Sequence, residues 1–289
     1  MGSYILITGA LGGFGGALVH ECARRGYDLY LTDRAQEASS FVQSITDKYG
    51  IQVRYRPCEL TSRESRTEFI NALVEEQCQF WGLINVAGRD FEGAFLDQSR
   101  EQLLYLIDLL IEAMVDLSHS ILNLRDLQQR FMLINVSSLA GFFPMPYKAT
   151  YSAAKGFIKG FSRALREEIK SFGNVLVVSP AGLPTTIESR RKIHAQGVWG
   201  KLTTMDTQIV ARRTIECALK EKASYVPGLI NRMIARLGRA LPDRFITEFV
   251  SKRWQAVQGI VFSPPEQKLL QVDLVEPQLP GLLNHKPKG

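Results

Sequence analysis

Thr8-Gly9-Ala10-Leu11-Gly12-Gly13-Phe14-Gly15 follows the apolar run at residues 4–8 directly and opens a helical pattern over 14–25. Glycines between a strand and a helix let the backbone turn tightly, and the helix N-terminus placed there attracts an anion such as a pyrophosphate. A glycine-rich turn also arises for structural reasons alone, so its position between a first strand and a first helix carries the weight. Outward from this turn, short aliphatic or β-branched runs at 28–33, 52–56, 82–87, 131–137 and 174–179 alternate with helical patterns. Those patterns lie near 36–49, 63–79, 101–127 and 151–172. Several of the runs are almost continuously apolar, as strands buried on both faces must be. The alternation predicts an α/β fold, a doubly wound parallel sheet with helices on both faces, which binds ligands outside the carboxyl ends of its strands.

Beyond Ser179 the pattern loosens. Residues 180–200 read as a loop over a pocket, followed by a helix near 206–222 and a short strand near 224–226. Residues 229–258 read as two basic amphipathic helices broken at Pro242, and the stretch from 263 carries five prolines. The expected organisation is a sheet domain over 1–228, a C-terminal helical extension over 229–262, and an extended or disordered tail over 263–289.

With 45% apolar and 22% charged residues in 289, the chain can build a large core and does not read as disordered. Cys22, Cys58, Cys78 and Cys217 form no CxxC pair, which argues against a zinc site or a disulfide framework. No metal is expected. The N-terminal residues lack the features of a signal peptide, and the default address is the cytoplasm. The net charge of +6 is enriched at Arg232, Arg236, Arg239, Arg244, Lys252 and Arg253. No nucleic-acid-reading motif accompanies these residues. Solvated helix faces are the ordinary explanation, and attachment to a membrane surface is the alternative.

Asp33 ends the second strand run, where a carboxylate accepts hydrogen bonds from an adenosine ribose and repels a 2′-phosphate. Arg34, next to it, would attract that phosphate instead, and the loop 10–12 offers no cation to help. NAD is therefore favoured over NADP. Tyr151-Ser152-Ala153-Ala154-Lys155 places a phenol and an ammonium four apart on one helix face. A nearby cation favours the phenolate, so Tyr151 can exchange a proton with a substrate oxygen. Ser138, leaving a strand end, can hold that oxygen.

Thr8-Gly-x-x-x-Gly-x-Gly15, Asn85-Val-Ala-Gly88, Ser138 and Tyr151-x-x-x-Lys155 together resemble the short-chain dehydrogenase/reductase family, over about residues 4–228. The resemblance implies a Rossmann-type fold and an NAD(P)-dependent oxidoreductase, an alcohol dehydrogenase or ketoreductase moving a hydride between nicotinamide and substrate. It implies Tyr151 as general acid/base, Ser138 orienting substrate, and Lys155 binding the nicotinamide ribose while tuning Tyr151. Cofactor contacts are implied at Thr8, Gly9, Leu11, Gly13, Phe14, Gly15, Asp33 and Arg34. Glu59 and Leu60 stand beside the adenine. Asn85, Ala87 and Gly88 line the groove, and Pro180 and Thr185 close on the nicotinamide. Three positions depart from the family pattern: Leu110 where an Asn is usual, Pro180-Ala181-Gly182 for Pro-Gly, and Glu59 for Asp. Leu110 motivates the alternative, a catalytically silent or weakened dinucleotide-binding protein. The helices around 103–117 and 157–169 match those the family uses to pair subunits, so a homo-oligomer is expected. Leu183, Ile187, Val198, Trp199, Leu202, Met233, Phe142, Phe143, Met145 and Tyr147 are expected to line a pocket for a hydrophobic alcohol or ketone.

Overall fold

A computed structural model describes residues 2–185, 187–195, 200 and 202–258. Seven strands form one sheet in the order β3-β2-β1-β4-β5-β6-β7, and every neighbouring pair is parallel. The strands are β1 (Ser3–Thr8), β2 (Leu29–Thr32), β3 (Val53–Tyr55), β4 (Gln79–Asn85), β5 (Phe131–Val136), β6 (Gly173–Val178) and β7 (Ser224–Tyr225). The chain order reverses between β1 and β4. The glycine turn after β1 and the Asn85–Gly88 segment after β4 therefore flank the switch point, where a doubly wound sheet opens a crevice.

Strand alternation divides the interior into two cores. Ile5 and Ile7 of β1, Leu29 and Leu31 of β2, and Met132, Ile134 and Val136 of β5 face one core. It is covered by α1 (Gly13–Arg24), α2 (Ser39–Tyr49) and α8 (Thr207–Leu219). Tyr4, Leu6, Tyr30, Phe131 and Leu133 point the other way. They meet α3 (Arg63–Glu75), α4 (Arg100–Ile107), α5 (Ala113–Asn123) and α6 (Ala149–Glu168). The fold is thus the Rossmann-type α/β sheet that the sequence pattern predicts. A helix α7 (Ile187–Ala195) lies in the segment read as a loop over the pocket. Pro242 separates α9 (Leu229–Ala240) from α10 (Asp243–Gln258). The tail expected over 263–289 lies outside the described residues.

Several boundaries differ from expectation, two of them with a visible structural feature. The helix read as 63–79 ends at Glu75: Gln77 takes φ 52°, Cys78 N–H returns to the Leu73 carbonyl, and β4 starts at Gln79. The helix read as 101–127 is broken by a π-helical turn, Asp108–Glu112, whose exit bonds Ala113 N–H to the Asp108 carbonyl. Such turns insert one residue into an α-helix and recur at functional sites.

Arg66 on α3 fixes this turn from below. Its Nε donates to Asp116 Oδ2 at 2.7 Å, its Nη1 to the Leu60 carbonyl at 2.6 Å, and its Nη2 to Glu112. At 1% exposure it joins the loop after β3 to the π turn, whereas Arg63, on the same Glu112, is 82% exposed. Removing one partner of a buried ion pair costs about 3 kcal/mol, because the remaining charges lose their compensation. Arg66→Leu should lower the urea unfolding free energy by about that amount. Arg63→Ala should change it little, and equal effects would show that burial is not what distinguishes the two.

Candidate active site

β1 delivers its last residue to the switch point, and Thr8 ties it to β4: Oγ1 accepts from Val86 N–H at 3.1 Å and Ala87 N–H at 3.2 Å. The turn that follows has no room for a side chain at two of its glycines. A Cβ on Gly9, at φ 61°, would meet Ala87 Cα at 2.8 Å, and one on Gly15 would meet the Gly9 carbonyl oxygen at 2.0 Å. The helix α1 starts from Gly12 with no side-chain cap and no acid in its first turn. A cradle of bare backbone at a helix N-terminus free of competing negative charge fits a dinucleotide's diphosphate. Phe14 is buried in the first core and holds the helix start on the sheet.

The adenosine-side residues converge but are already engaged. Asp33 Oδ2 accepts from Leu11 N–H at 3.0 Å and Oδ1 from Arg34 N–H at 2.8 Å, so this carboxylate pins the glycine turn to the end of β2. The Arg34 side chain is exposed beside it. Cys58 N–H donates to the Asp33 carbonyl at 2.9 Å, which brings Glu59 and buried Leu60 alongside. Glu59 spends its carboxylate locally, accepting from Thr61 Oγ1 at 2.8 Å and from Thr61 N–H at 3.2 Å. Asn85 serves the scaffold: its amide donates to Asn135 Oδ1 at 2.9 Å and Ser118 Oγ at 3.1 Å, while Asn135 donates onward to Ser162 Oγ. This buried chain of polar groups fixes β4, β5, α5 and α6 together.

Ser138, Tyr151 and Lys155 meet at the C-terminal end of β5. Ser137 Oγ donates to the Lys155 carbonyl at 2.7 Å, and a Cβ on Gly141 would lie 2.6 Å from that same oxygen, so α6 rests on bare backbone. Buried Lys155 donates from Nζ to the Val136 carbonyl at 2.9 Å and lies 5.6 Å from the Tyr151 ring centroid. The Ser138 hydroxyl is hydrogen-bonded to the phenol and also accepts from Ala140 N–H at 3.1 Å. Pro180 and Thr185 close the arrangement: the Pro180 carbonyl accepts from Leu139 N–H at 2.8 Å, and Thr185 packs directly over Gly13. Gly88 faces both the Leu110 methyl and Lys155 Nζ, so the apolar Leu110 is a neighbour of the ammonium.

The electrostatics correct one expectation. Burial pushes the Tyr151 phenol well above its ordinary value; Asp90 and then Glu92 add to this, and the Ser138 hydrogen bond opposes it. The expected lowering by Lys155 is not what governs the phenol here. Burial instead acts on Lys155 itself, pulling it down to about 8, with Asp90 working in the opposite direction. A buried ammonium loses hydration, and neither Leu110 nor the ring supplies a replacement.

Asp90, Glu92 and Lys148 were not apparent from the sequence. Lys148 pairs with Asp90 and, at 2.6 Å, with Glu92, and lies 5.7 Å from the Tyr151 ring centroid. The available signal was the three-residue step from Lys148 to Tyr151, which puts both at one side of the start of α6. The apolar residues expected to line a pocket are divided. Leu183 packs against the first core, Phe142 lies under Lys159 Nζ, and Phe143 sits against Gly238 of α9. Tyr147 is buried at φ 64°, whereas Leu202 and Met233 are about half exposed. Nothing is described for the side chain of Ile187, and Val198 and Trp199 lie outside the described residues.

A family model described as short chain dehydrogenase matches residues 3–195. A very-long-chain 3-oxoacyl-CoA reductase of Anas platyrhynchos is 29% identical over 184 residues, 61% of this chain and 58% of that protein. A 3-ketodihydrosphingosine reductase of Bacteroides thetaiotaomicron is 28% identical over 190 residues, 65% of this chain and 67% of that protein. The chain thus spans little more than half the length of the first of these relatives. A solved short-chain dehydrogenase from Sphingobium yanoikuyae, in complex with NADPH, superimposes with a TM-score of 0.69 at 23% identity. The superposition covers 92% of this chain and 99% of that one, a likeness of fold. The family match takes in the sheet from β1 to β6 and each of the converging side chains, and the chain belongs to the short chain dehydrogenase family.

Proposed function

We propose that this chain reduces the ketone of a long, apolar 3-oxo compound, with a nicotinamide dinucleotide as the source of reducing power. The observation that carries the proposal is the meeting of Tyr151 with Ser138 and with the buried Lys155 ammonium, 5.6 Å from its ring centroid, at the end of β5; burial raises the phenol, which therefore enters as O–H. A group that enters the reaction as O–H is equipped to donate, and donation to the substrate oxygen is the proton step of carbonyl reduction. The names of two relatives, a 3-oxoacyl-CoA reductase and a 3-ketodihydrosphingosine reductase, support a long-chain 3-oxo substrate.

The bound dinucleotide would supply the hydride. The turn from Gly9 to Gly15 would hold its diphosphate, Asp33 and Leu60 its adenosine end, and Lys155 its nicotinamide ribose. Ser138 orients the substrate carbonyl, Tyr151 Oη gives up its proton to that oxygen, and the charge on Lys155 stabilises the phenolate left behind. Tyr151→Phe should lower reduction of a 3-oxoacyl thioester by about 10²- to 10⁴-fold while leaving dinucleotide affinity unchanged. Near-wild-type turnover in that variant would remove Tyr151 from the proton step. A preference for small charged carbonyls over long-chain ones in a substrate panel would remove the proposed class.

The pH dependence follows from Lys155. Its ammonium is present below about 8 and lost above, so kcat/KM for reduction should fall on the alkaline side around that value. Leu110→Asn, which puts a polar group beside the ammonium, should move this limb upward, and Asp90→Asn should move it downward. A limb that ignores both variants would belong to another group. A second reading, a silent dinucleotide binder, draws on buried Leu110 beside Lys155. Cofactor binding without turnover across the carbonyl panel would favour it.

For the cofactor, the Asp33 carboxylate favours NADH over NADPH, with exposed Arg34 as the competing influence. Steady-state comparison of the two dinucleotides decides between them, and a higher kcat/KM with NADPH would assign the choice to Arg34. Pairing of two copies would use α4 and α6, where Leu104, Ile107 and Phe157 are each 40% exposed. The four cysteines are free and buried, which suits the reducing cytoplasm.

A further inference from the structure

The helix α9 shows two unlike faces. On one, buried Asn231 donates to the Pro227 carbonyl at 2.8 Å and the Thr203 carbonyl at 2.9 Å, Ala235 is buried, and Gly238 abuts the Phe143 ring. On the other, Leu229, Met233 and Leu237 follow at four-residue steps, and each is more than half exposed. At the end of α9 Leu241 is half exposed, and beyond Pro242 the helix α10 carries Phe245 and Phe249, four apart, the last at 64% exposure. Single exposed apolar residues are ordinary on a protein surface; three in a row along α9, followed by two more on the next helix, are a built surface.

Cations border this row. Arg232 and Arg236 are exposed on α9, and the Arg244 guanidinium lies 4.6 Å from the Phe245 ring centroid. Arg232 also lines a cleft of about 420 Å³ with Lys220, Lys222, Arg213 and Glu216, the last two paired at 2.9 Å. Residues 229–253 hold five arginines and one lysine against two acids, Asp243 and Glu248, and Glu248 is paired with Lys252 at 2.7 Å. Among the described residues no helix is long and apolar enough to cross a membrane.

We infer that α9 and α10 dock this chain on the surface of an anionic phospholipid bilayer, with Leu229, Met233, Leu237, Phe245 and Phe249 entering the acyl boundary. An apolar stripe bordered by arginines has the chemistry of a helix lying in a membrane interface. Negative headgroups complement the cations. A second copy of the chain would not, since a two-fold contact brings the same arginine-bordered face from each copy together, and of its two acids Glu248 is already paired with Lys252. The inner face of α9 touches Phe143, on the turn that begins at Ser138. The proposed docking surface is therefore only one helix from the catalytic wall, a distance of about 10 Å.

Sedimentation of the full chain with vesicles of phosphatidylcholine, alone or mixed with equal phosphatidylserine, tests the inference. The wild type should pellet with the mixed vesicles, and high salt should release it. The triple variant Leu229→Ser, Met233→Ser, Leu237→Ser should lose about tenfold or more of its partitioning while retaining circular dichroism and dinucleotide binding. Arg232→Glu with Arg236→Glu should abolish the preference for the anionic vesicles. Wild-type protein remaining in the supernatant, or a triple variant that pellets unchanged, overturns the inference. Conversion of a dimer to a monomer by the triple variant, with no vesicle binding by the wild type, would overturn it in favour of a second copy. None of these readouts uses turnover, so failure here is separate from failure of the substrate assignment.

Discussion

The contact between the Lys155 ammonium and the Val136 carbonyl places a positive charge inside the protein, where it has lost its water. Much of the surrounding structure serves to hold that charge in place. Gly141 lets α6 approach to backbone contact, Ser137 fixes the height of the helix, and the amide chain through Asn85 and Asn135 locks the two strands beneath it. A Cβ on Gly88 would meet Leu110 Cδ2 at 3.3 Å and Lys155 Nζ at 3.7 Å, so glycine there leaves room for both. Burial then sets both titrating groups: the phenol is kept as an acid and the ammonium is brought close to neutrality. Proton donor and supporting charge are thus tuned by one cause, removal of water, acting in opposite directions on an acid that is neutral and a base that is charged.

Much of the fold was legible because its determinants are local. The glycine turn, the apolar strands and Pro242 each declare themselves in a few residues. Tyr151 and Lys155 were legible because a helix of known pitch puts positions four apart together. The π turn was not, because Asp108 to Glu112 carries no residue that differs from good helix formers. The side chain that grips it, Arg66, lies 46 residues from Glu112 in the sequence. The same holds for Asp90 and Glu92, whose meeting with Lys148 depends on how β4 and α6 are brought side by side. Asp33 and Glu59 come together through the bond from Cys58 N–H to the Asp33 carbonyl, and their hydrogen bonds to Leu11, Arg34 and Thr61 are set by loop conformation rather than by spacing.

Leu110 occupies the π turn at the point where it faces Gly88 and Lys155. Burial lowers the lysine, an apolar neighbour offers it no hydrogen bond, and the carboxylate of Asp90 works in the opposite direction. The Asp90–Lys148–Glu92 group is therefore best understood together with Leu110: one removes polar support for the ammonium, and the other returns some of it as a field.

The two ends of the sheet differ sharply from its middle. β1, β4, β5 and β6 are six or seven residues long and almost wholly buried, a composition that would recruit foreign strands if left open. The borders are β3, of three residues with Arg54 projecting at its centre, and β7, of only two. Each offers too short a ladder of unpaired amides for a neighbouring chain to extend. The sticky interior strands are thereby shielded laterally, and edge-to-edge association through this sheet is disfavoured.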